Sequence, residues 1–179
     1  MFDIDQWIAD YPVCQYKIVG SEEVVFSEKV RHICKTECER YGKSWSCPPA
    51  VGEVEECQKK CRKYRYAFVF TTMAEVTDAS ILSETLATRA QHEQVTRTIC
   101  ENLEKRGARC LPLSSESCQI CETCAYPDPC RFPGKAIPCV ESYGILVTEL
   151  AEICGIDFYY DNQTVTWFGL IFFDENRIF

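Results

Sequence analysis

The sequence predicts an α/β or α+β fold, a mixed sheet with helices packed on it, and three observations carry that expectation. Short apolar runs bounded by turn residues read as strands, and long stretches with a 3.6-residue apolar period read as helices. In the later part of the chain the two kinds alternate, as they do when helices are layered on a sheet. The expected order is β-β-α-α-β-α-β-loop-α-β-β, in a single domain over residues 1–179 with two cysteine-rich segments, 34–61 and 118–139. A hydrophobic content of 46% and an aromatic content of 12% supply a core for that size and exclude disorder.

Cys14 to Phe26 alternates around Val19-Gly20-Ser21-Glu22 and predicts a hairpin, CQYKIV against EVVF. Ser27 is placed to cap a helix, SEKVRHICKTECERYG, with Gly42 past its end. After the loop KSWSCPPAVG, Glu53 to Arg65 predicts a short helix with acid at its start and base at its end, which suits the macrodipole. Tyr66 to Thr72 is a buried strand by its continuous apolar run. The longest helix is expected from Ala79 to Arg106, with Leu82, Leu86, Val95, Ile99 and Leu103 on one stripe and Gly107 as the stop. A strand at Arg109–Leu113 leads into the second cysteine segment. Beyond it come a helix at Val140–Cys154, with Leu146, Leu150 and Ile153 inward, and a closing hairpin of IDFYY and TVTWFGLIFF. The last of these strands is apolar enough to be central.

The chemistry lies in the cysteines. Ser117 to Pro133 reads SCQICETCAYPDPCRFP and holds Cys118, Cys121, Cys124 and Cys130 at spacing C-x2-C-x2-C-x5-C. Three thiols at successive two-residue gaps cannot share one helix face, so the backbone must curl and aim them at a common metal. The bacterial ferredoxin run has the same first three ligands at the same two gaps and then a remoter cysteine beside a proline. Here Pro129 and Pro133 flank the fourth cysteine and stiffen the loop. One loop supplying four thiolates suits a cubane, with one sulfur at each iron corner. Zinc ribbons instead pair two C-x2-C knuckles around one ion, although zinc remains the alternative metal for any four-thiolate site.

The first segment holds Cys34, Cys38, Cys47, Cys57 and Cys61, one thiol more than a tetrahedral site or a cubane needs. Cys34/Cys38 and Cys57/Cys61 are each four apart on expected helices. Two partitions compete: a second cluster with one spare thiol, or a helical hairpin stapled by two disulfides, which leaves Cys47 idle and needs an oxidising compartment.

The run VRHICKTECERYGKSWSCPPAVGEVEEC, followed by CQICETCAYPDPCRFPGKAIPCVESYGI, resembles a cysteine-rich family of predicted metal-binding proteins of anaerobes (domain of unknown function 2284) over most of the chain. The resemblance implies Cys34, Cys38, Cys47 and Cys57 as ligands in the first group, leaving out Cys61, and Cys118, Cys121, Cys124 and Cys130 in the second. Cys139, ahead of Glu141 and Gly144, stands where the family tends to serine, so it competes for the fourth ligand position of the second site.

The expected function is therefore an iron–sulfur protein with two [4Fe-4S] clusters that passes single electrons to a redox partner protein, an electron carrier rather than a stand-alone enzyme. The alternative is a zinc-binding structural or interaction protein. The net charge of −8 argues against nucleic acid, no apolar run approaches the ~20 residues that span a bilayer, and acidic residues near the start argue for a cytoplasmic protein. Arg131, Lys43 and Trp45 are candidates to tune the clusters. His32 and His92 have no partner at ligand spacing, and Cys14, Cys100, Cys110 and Cys154 read as core. There is no Walker loop, no G-x-G-x-x-G and no nucleophile elbow.

Overall fold

The two longest apolar runs form the longest strands, β2 (Tyr66–Glu75) and β4 (Thr164–Asp174), which pair at the centre of the sheet. The structure, a computed structural model, describes residues 4–174. Strand β1 (Gln15–Gly20) lies outside β2 and strand β3 (Arg109–Leu113) outside β4, and every neighbouring pair is antiparallel. The fold is thus α+β, with five helices and a four-stranded sheet among the described residues.

The period of two along the central strands feeds two separate cores. Ala67, Val69, Leu170 and Phe172 face one way, onto helices α3 (Val54–Cys61) and α5 (Val147–Cys154). Phe68, Phe70, Ile171 and Phe173 face the other, onto α1 (Ile4–Ile8) and α4 (Leu82–Lys105). Gly169 pairs with Phe70 across the sheet, and a Cβ there would meet the Phe70 ring at 2.1 Å. The aromatic ring fills the space a side chain would take, so glycine sits inside a strand for packing.

Several elements differ from the sequence expectation. The first hairpin does not form, because β1 is followed by a 3-10 turn (Ser21–Glu23) and pairs instead with β2, where the longer apolar partner is available. Ser27 does cap helix α2 (Glu28–Glu37), its hydroxyl accepting from the Lys29 N–H at 3.2 Å, but the helix stops before Cys38, which is extended. The expected helix over 140–154 is split: a 3-10 turn (Glu141–Tyr143) ends in a left-handed Gly144 before α5 begins. Gly144 packs against Val54, where a Cβ would clash at 2.8 Å. On α4 the stripe holds for Val95, Ile99 and Leu103, whereas Leu82 is exposed at the helix start, and Ile153 on α5 is exposed. The segment IDFYY is irregular, and β4 takes its partners from β2 and β3. Helix α1 carries no sequence expectation, and Cys14 is exposed rather than core.

Candidate functional site

The loop from Lys43 to Gly52 and the loop after β3 meet along a strip of three residues, Ser44-Trp45-Ser46. The Ser46 hydroxyl accepts the backbone N–H of Cys118 at 2.8 Å, and the Ser46 carbonyl accepts the N–H of Cys139 at 3.3 Å. Ser44 and Ser46 share a hydroxyl–hydroxyl bond of 2.8 Å, and both are buried. The strip separates two cavities, and each is lined by four cysteines.

The second cysteine group comes together as the spacing predicts. Cys118, Cys121, Cys124 and Cys130 line one small cavity of about 20 Å³, with Ser44, Trp45 and Ser46 on its far wall. Trp45 donates its indole N–H to the Asp128 carbonyl at 2.9 Å and meets Tyr126 edge-to-face at 5.0 Å, which fixes the loop to the strip. Arg131 turns back within the loop and donates to the Thr123 carbonyl at 2.7 Å. Burial raises the Cys124 thiol, yet N–H groups of Tyr126, Trp45 and Ala125 and the Ser44 hydroxyl outweigh it and bring the thiol below its ordinary value. Donors aimed at a sulfur stabilise the thiolate, the form that binds metal.

A buried ion pair on α4 holds the same loop from behind. Glu93 is almost fully buried; one carboxylate oxygen accepts from Arg97 at 2.7 Å and the other accepts the Gln119 N–H at 2.8 Å. Arg97 in turn donates to the Lys135 carbonyl at 2.7 Å and reaches the Cys118 sulfur at 3.9 Å. Burial pushes the Cys118 thiol up, and the Ile120 and Ile137 N–H groups and Arg97 oppose it. Glu93 and Arg97 escape a motif search, and their one sequence signal is an acid on the otherwise apolar stripe of α4 with a base four residues on.

The first cysteine group divides. Cys34, Cys38 and Cys47 line a cavity of about 350 Å³, and the fourth cysteine on that wall is Cys139. Cys139 arrives because the segment after the second loop runs beside β3: Ser114 and Cys139 form a parallel bridge, with the Val140 N–H on the Ser114 carbonyl at 2.9 Å. Cys57 lies elsewhere. Helix α3 turns it, together with Cys61, fully into the core, where its thiol donates to the Val51 carbonyl at 3.5 Å. Buried Arg31 on α2 joins the walls, donating to the Gly52 and Ser142 carbonyls at 2.7 Å each. Burial pushes the Cys47 thiol up to about 12, with Cys38 and Cys34 adding to it; burial likewise raises Cys34 and Cys139. The Cys139 thiol donates to the half-buried Glu141 carboxylate at 2.7 Å.

All fourteen cysteines are free thiols. Among the described residues no three His, Cys, Asp or Glu side chains are grouped so as to hold a single metal ion. Thiolates are soft donors, which suit an iron–sulfur cluster or zinc better than a hard cation. His32 is exposed on α2, and His92 is buried with its Nδ1 2.7 Å from the Thr72 hydroxyl, so neither joins a thiol set. Among the described residues no helix is long and apolar enough to cross a membrane.

The family model described as predicted metal-binding protein (domain of unknown function 2284) matches residues 17–173. No curated protein and no solved structure gives a significant match.

Proposed function

Since this chain belongs to the predicted metal-binding family (domain of unknown function 2284), we propose that it is an iron–sulfur protein with two [4Fe-4S] clusters that carries single electrons between partner enzymes in the cytoplasm. The observation that supports this reading is the pair of cavities, each with four cysteines, divided by one three-residue strip. In this reading Cys118, Cys121, Cys124 and Cys130 hold one cluster. Cys34, Cys38 and Cys47 hold the other, with Cys139 in the place that the family pattern gives to Cys57.

A cubane bound at each set supplies reversible one-electron chemistry. The chain's own residues do the rest. The thiolates anchor, Ser44 and the N–H groups near Cys124 stabilise negative charge on sulfur, and Arg97 places a cation beside Cys118. Trp45 and Tyr126 cover one side of the second loop and limit water there. The surface charge of −8 favours a basic face on the partner and a salt-dependent association.

The second reading is structural zinc, and the small 20 Å³ space inside the second thiol set is what favours it. The deciding experiment is anaerobic purification followed by iron, acid-labile sulfide and zinc counts and a visible spectrum before and after dithionite. About eight irons and eight sulfides per chain, with absorption that bleaches, is the expected result. One or two zincs on a colourless protein overturns it.

A further inference from the structure

Two cysteines outside both thiol sets, Cys100 and Cys110, meet on the wall of an open cleft. Helix α4 ends at Lys105, and the chain reverses at Gly107, which is left-handed at φ 91°. The Gly107 N–H reaches the Glu104 carbonyl at 2.9 Å and the Ala108 N–H the Leu103 carbonyl at 3.1 Å, so the turn is tight and β3 packs back on the helix it follows. The period of two along β3 then directs Cys110 toward α4. It packs in the core that holds Cys100 and Leu103, whereas Leu111 and Leu113 belong to the core on the other face of the sheet.

The two thiols are within hydrogen-bonding reach of each other, with the Cys110 S–H donating to the Cys100 sulfur; that bond, with burial, pushes the Cys110 thiol up. Both cysteines line a cleft of about 970 Å³, which reaches Pro112, Phe132 and Ile137 and takes in no cysteine of either thiol set. Its size is at the upper end of small-molecule sites, roughly 300–1000 Å³. Cys100 is 6% exposed, while Cys110 is half-buried and is the sulfur that a molecule in the cleft meets first. A cysteine that only packs behaves as a small hydrophobe, and needs neither a second sulfur in contact nor an opening to solvent. Strand β3 is also an edge strand, paired with β4 alone, so its outer side is free to adjust.

We propose that Cys100 and Cys110 are a reversible dithiol–disulfide couple, oxidised by exchange with the disulfide of a small thiol that enters this cleft. The Cys110 thiolate attacks one sulfur of the incoming disulfide, forms a mixed disulfide and releases the first small thiol. The Cys100 thiolate then attacks the Cys110 sulfur, closes the Cys100–Cys110 bond and releases the second. Two protein thiols are oxidised, one small disulfide is reduced to two thiols, and the two protons of the pair leave with them. A proton held between two sulfurs passes from one to the other, so the accessible Cys110 carries the thiolate when a disulfide arrives. Closure brings sulfurs already in contact to about 2.05 Å. No metal takes part, so the inference stands whether or not either thiol set holds a cluster.

The test treats the anaerobically purified, metal-loaded protein with cystamine and with glutathione disulfide, two small disulfides of opposite charge. The reaction is quenched in acid, free thiols are blocked, and disulfides are mapped by mass spectrometry of peptides. A Cys100–Cys110 bond should form with at least one probe and be reversed by dithiothreitol. In Cys100→Ala the second step is lost, so Cys110 should hold the mixed disulfide at least tenfold above its level in the unaltered protein. In Cys110→Ala the shielded Cys100 should take up at least tenfold less of the probe than Cys110 does in Cys100→Ala. Absence of the Cys100–Cys110 bond with both probes overturns the proposal, and so does equal labelling of the remaining cysteine in the two variants. The mapping on the unaltered protein needs no substitution, so it decides even where a variant misfolds. Iron and sulfide counts on the same samples bear on the cluster reading alone.

Discussion

The Ser46 hydroxyl accepts the backbone N–H of Cys118 at 2.8 Å, while the next residue, Cys47, lines the other cavity. Ser46, on the wall of the second thiol set, is thus followed directly by a thiol of the first, and in the proposed reading the two clusters would lie close together. Two reduced clusters at such separation interact magnetically. We expect the dithionite-reduced protein to give a broadened, interaction-type EPR spectrum, and Cys121→Ala to collapse it to the simple signal of one cluster. Two sharp, additive signals in the unaltered protein would mean that the sites do not communicate.

Burial of Cys57 in the core and the pairing of Ser114 with Cys139 favour Cys139 as the fourth thiol of the first set in the proposed reading, and the choice has a direct test. Cys139→Ser should remove about four irons, one cubane's worth. Cys57→Ser should keep the full count and lower stability by roughly 0.5–3 kcal/mol, because it puts a hydroxyl among apolar neighbours. Iron counts on the two variants, with urea midpoints for the second, read this out; iron loss from the Cys57 variant alone would restore the original assignment.

That assignment shows where sequence reading stops. The gathering of the second thiol set around one cavity was legible because its four cysteines sit within 13 residues, so local spacing brings them together. The first set spans more than a hundred residues from Cys34 to Cys139, and the contact that closes it is a backbone bridge between Ser114 and Cys139 that leaves no periodic trace. The central strands, Tyr66–Glu75 and Thr164–Asp174, announce themselves by apolar runs, whereas the pairing of β1 depends on long-range register. Gly169 is of the same kind: only the pairing with Phe70 explains it.

Arg97 sets the charge next to the second thiol set, and removing it should move one potential and not the other. A cation 3.9 Å from the Cys118 sulfur favours the reduced, more negative state. In Arg97→Gln the second cluster's midpoint should fall on the order of 50 mV, which corresponds to ~1 kcal/mol for one electron. The first cluster should stay within a few millivolts. Equal shifts in both, measured by EPR-monitored titration, would point to a general loosening of the loop rather than to local charge. Glu93→Gln should act differently, since it releases the Gln119 N–H as well as Arg97.

Acid should destabilise the fold through His92, which lies outside both thiol sets. Burial holds its imidazole down to about 4, from an ordinary 6.5. The folded state therefore keeps His92 neutral while the unfolded chain takes up a proton below pH 6.5, so stability is present in full above that value and is lost as pH falls toward 4. The loss approaches ~3 kcal/mol at the lower end. Urea midpoints between pH 7 and 4 should fall more steeply for the unaltered protein than for His92→Gln, which has no proton to gain. The variant pays at every pH for the changed bond to Thr72, so the slope and not the midpoint carries the answer. Parallel slopes would mean that the imidazole is already solvated in the folded protein.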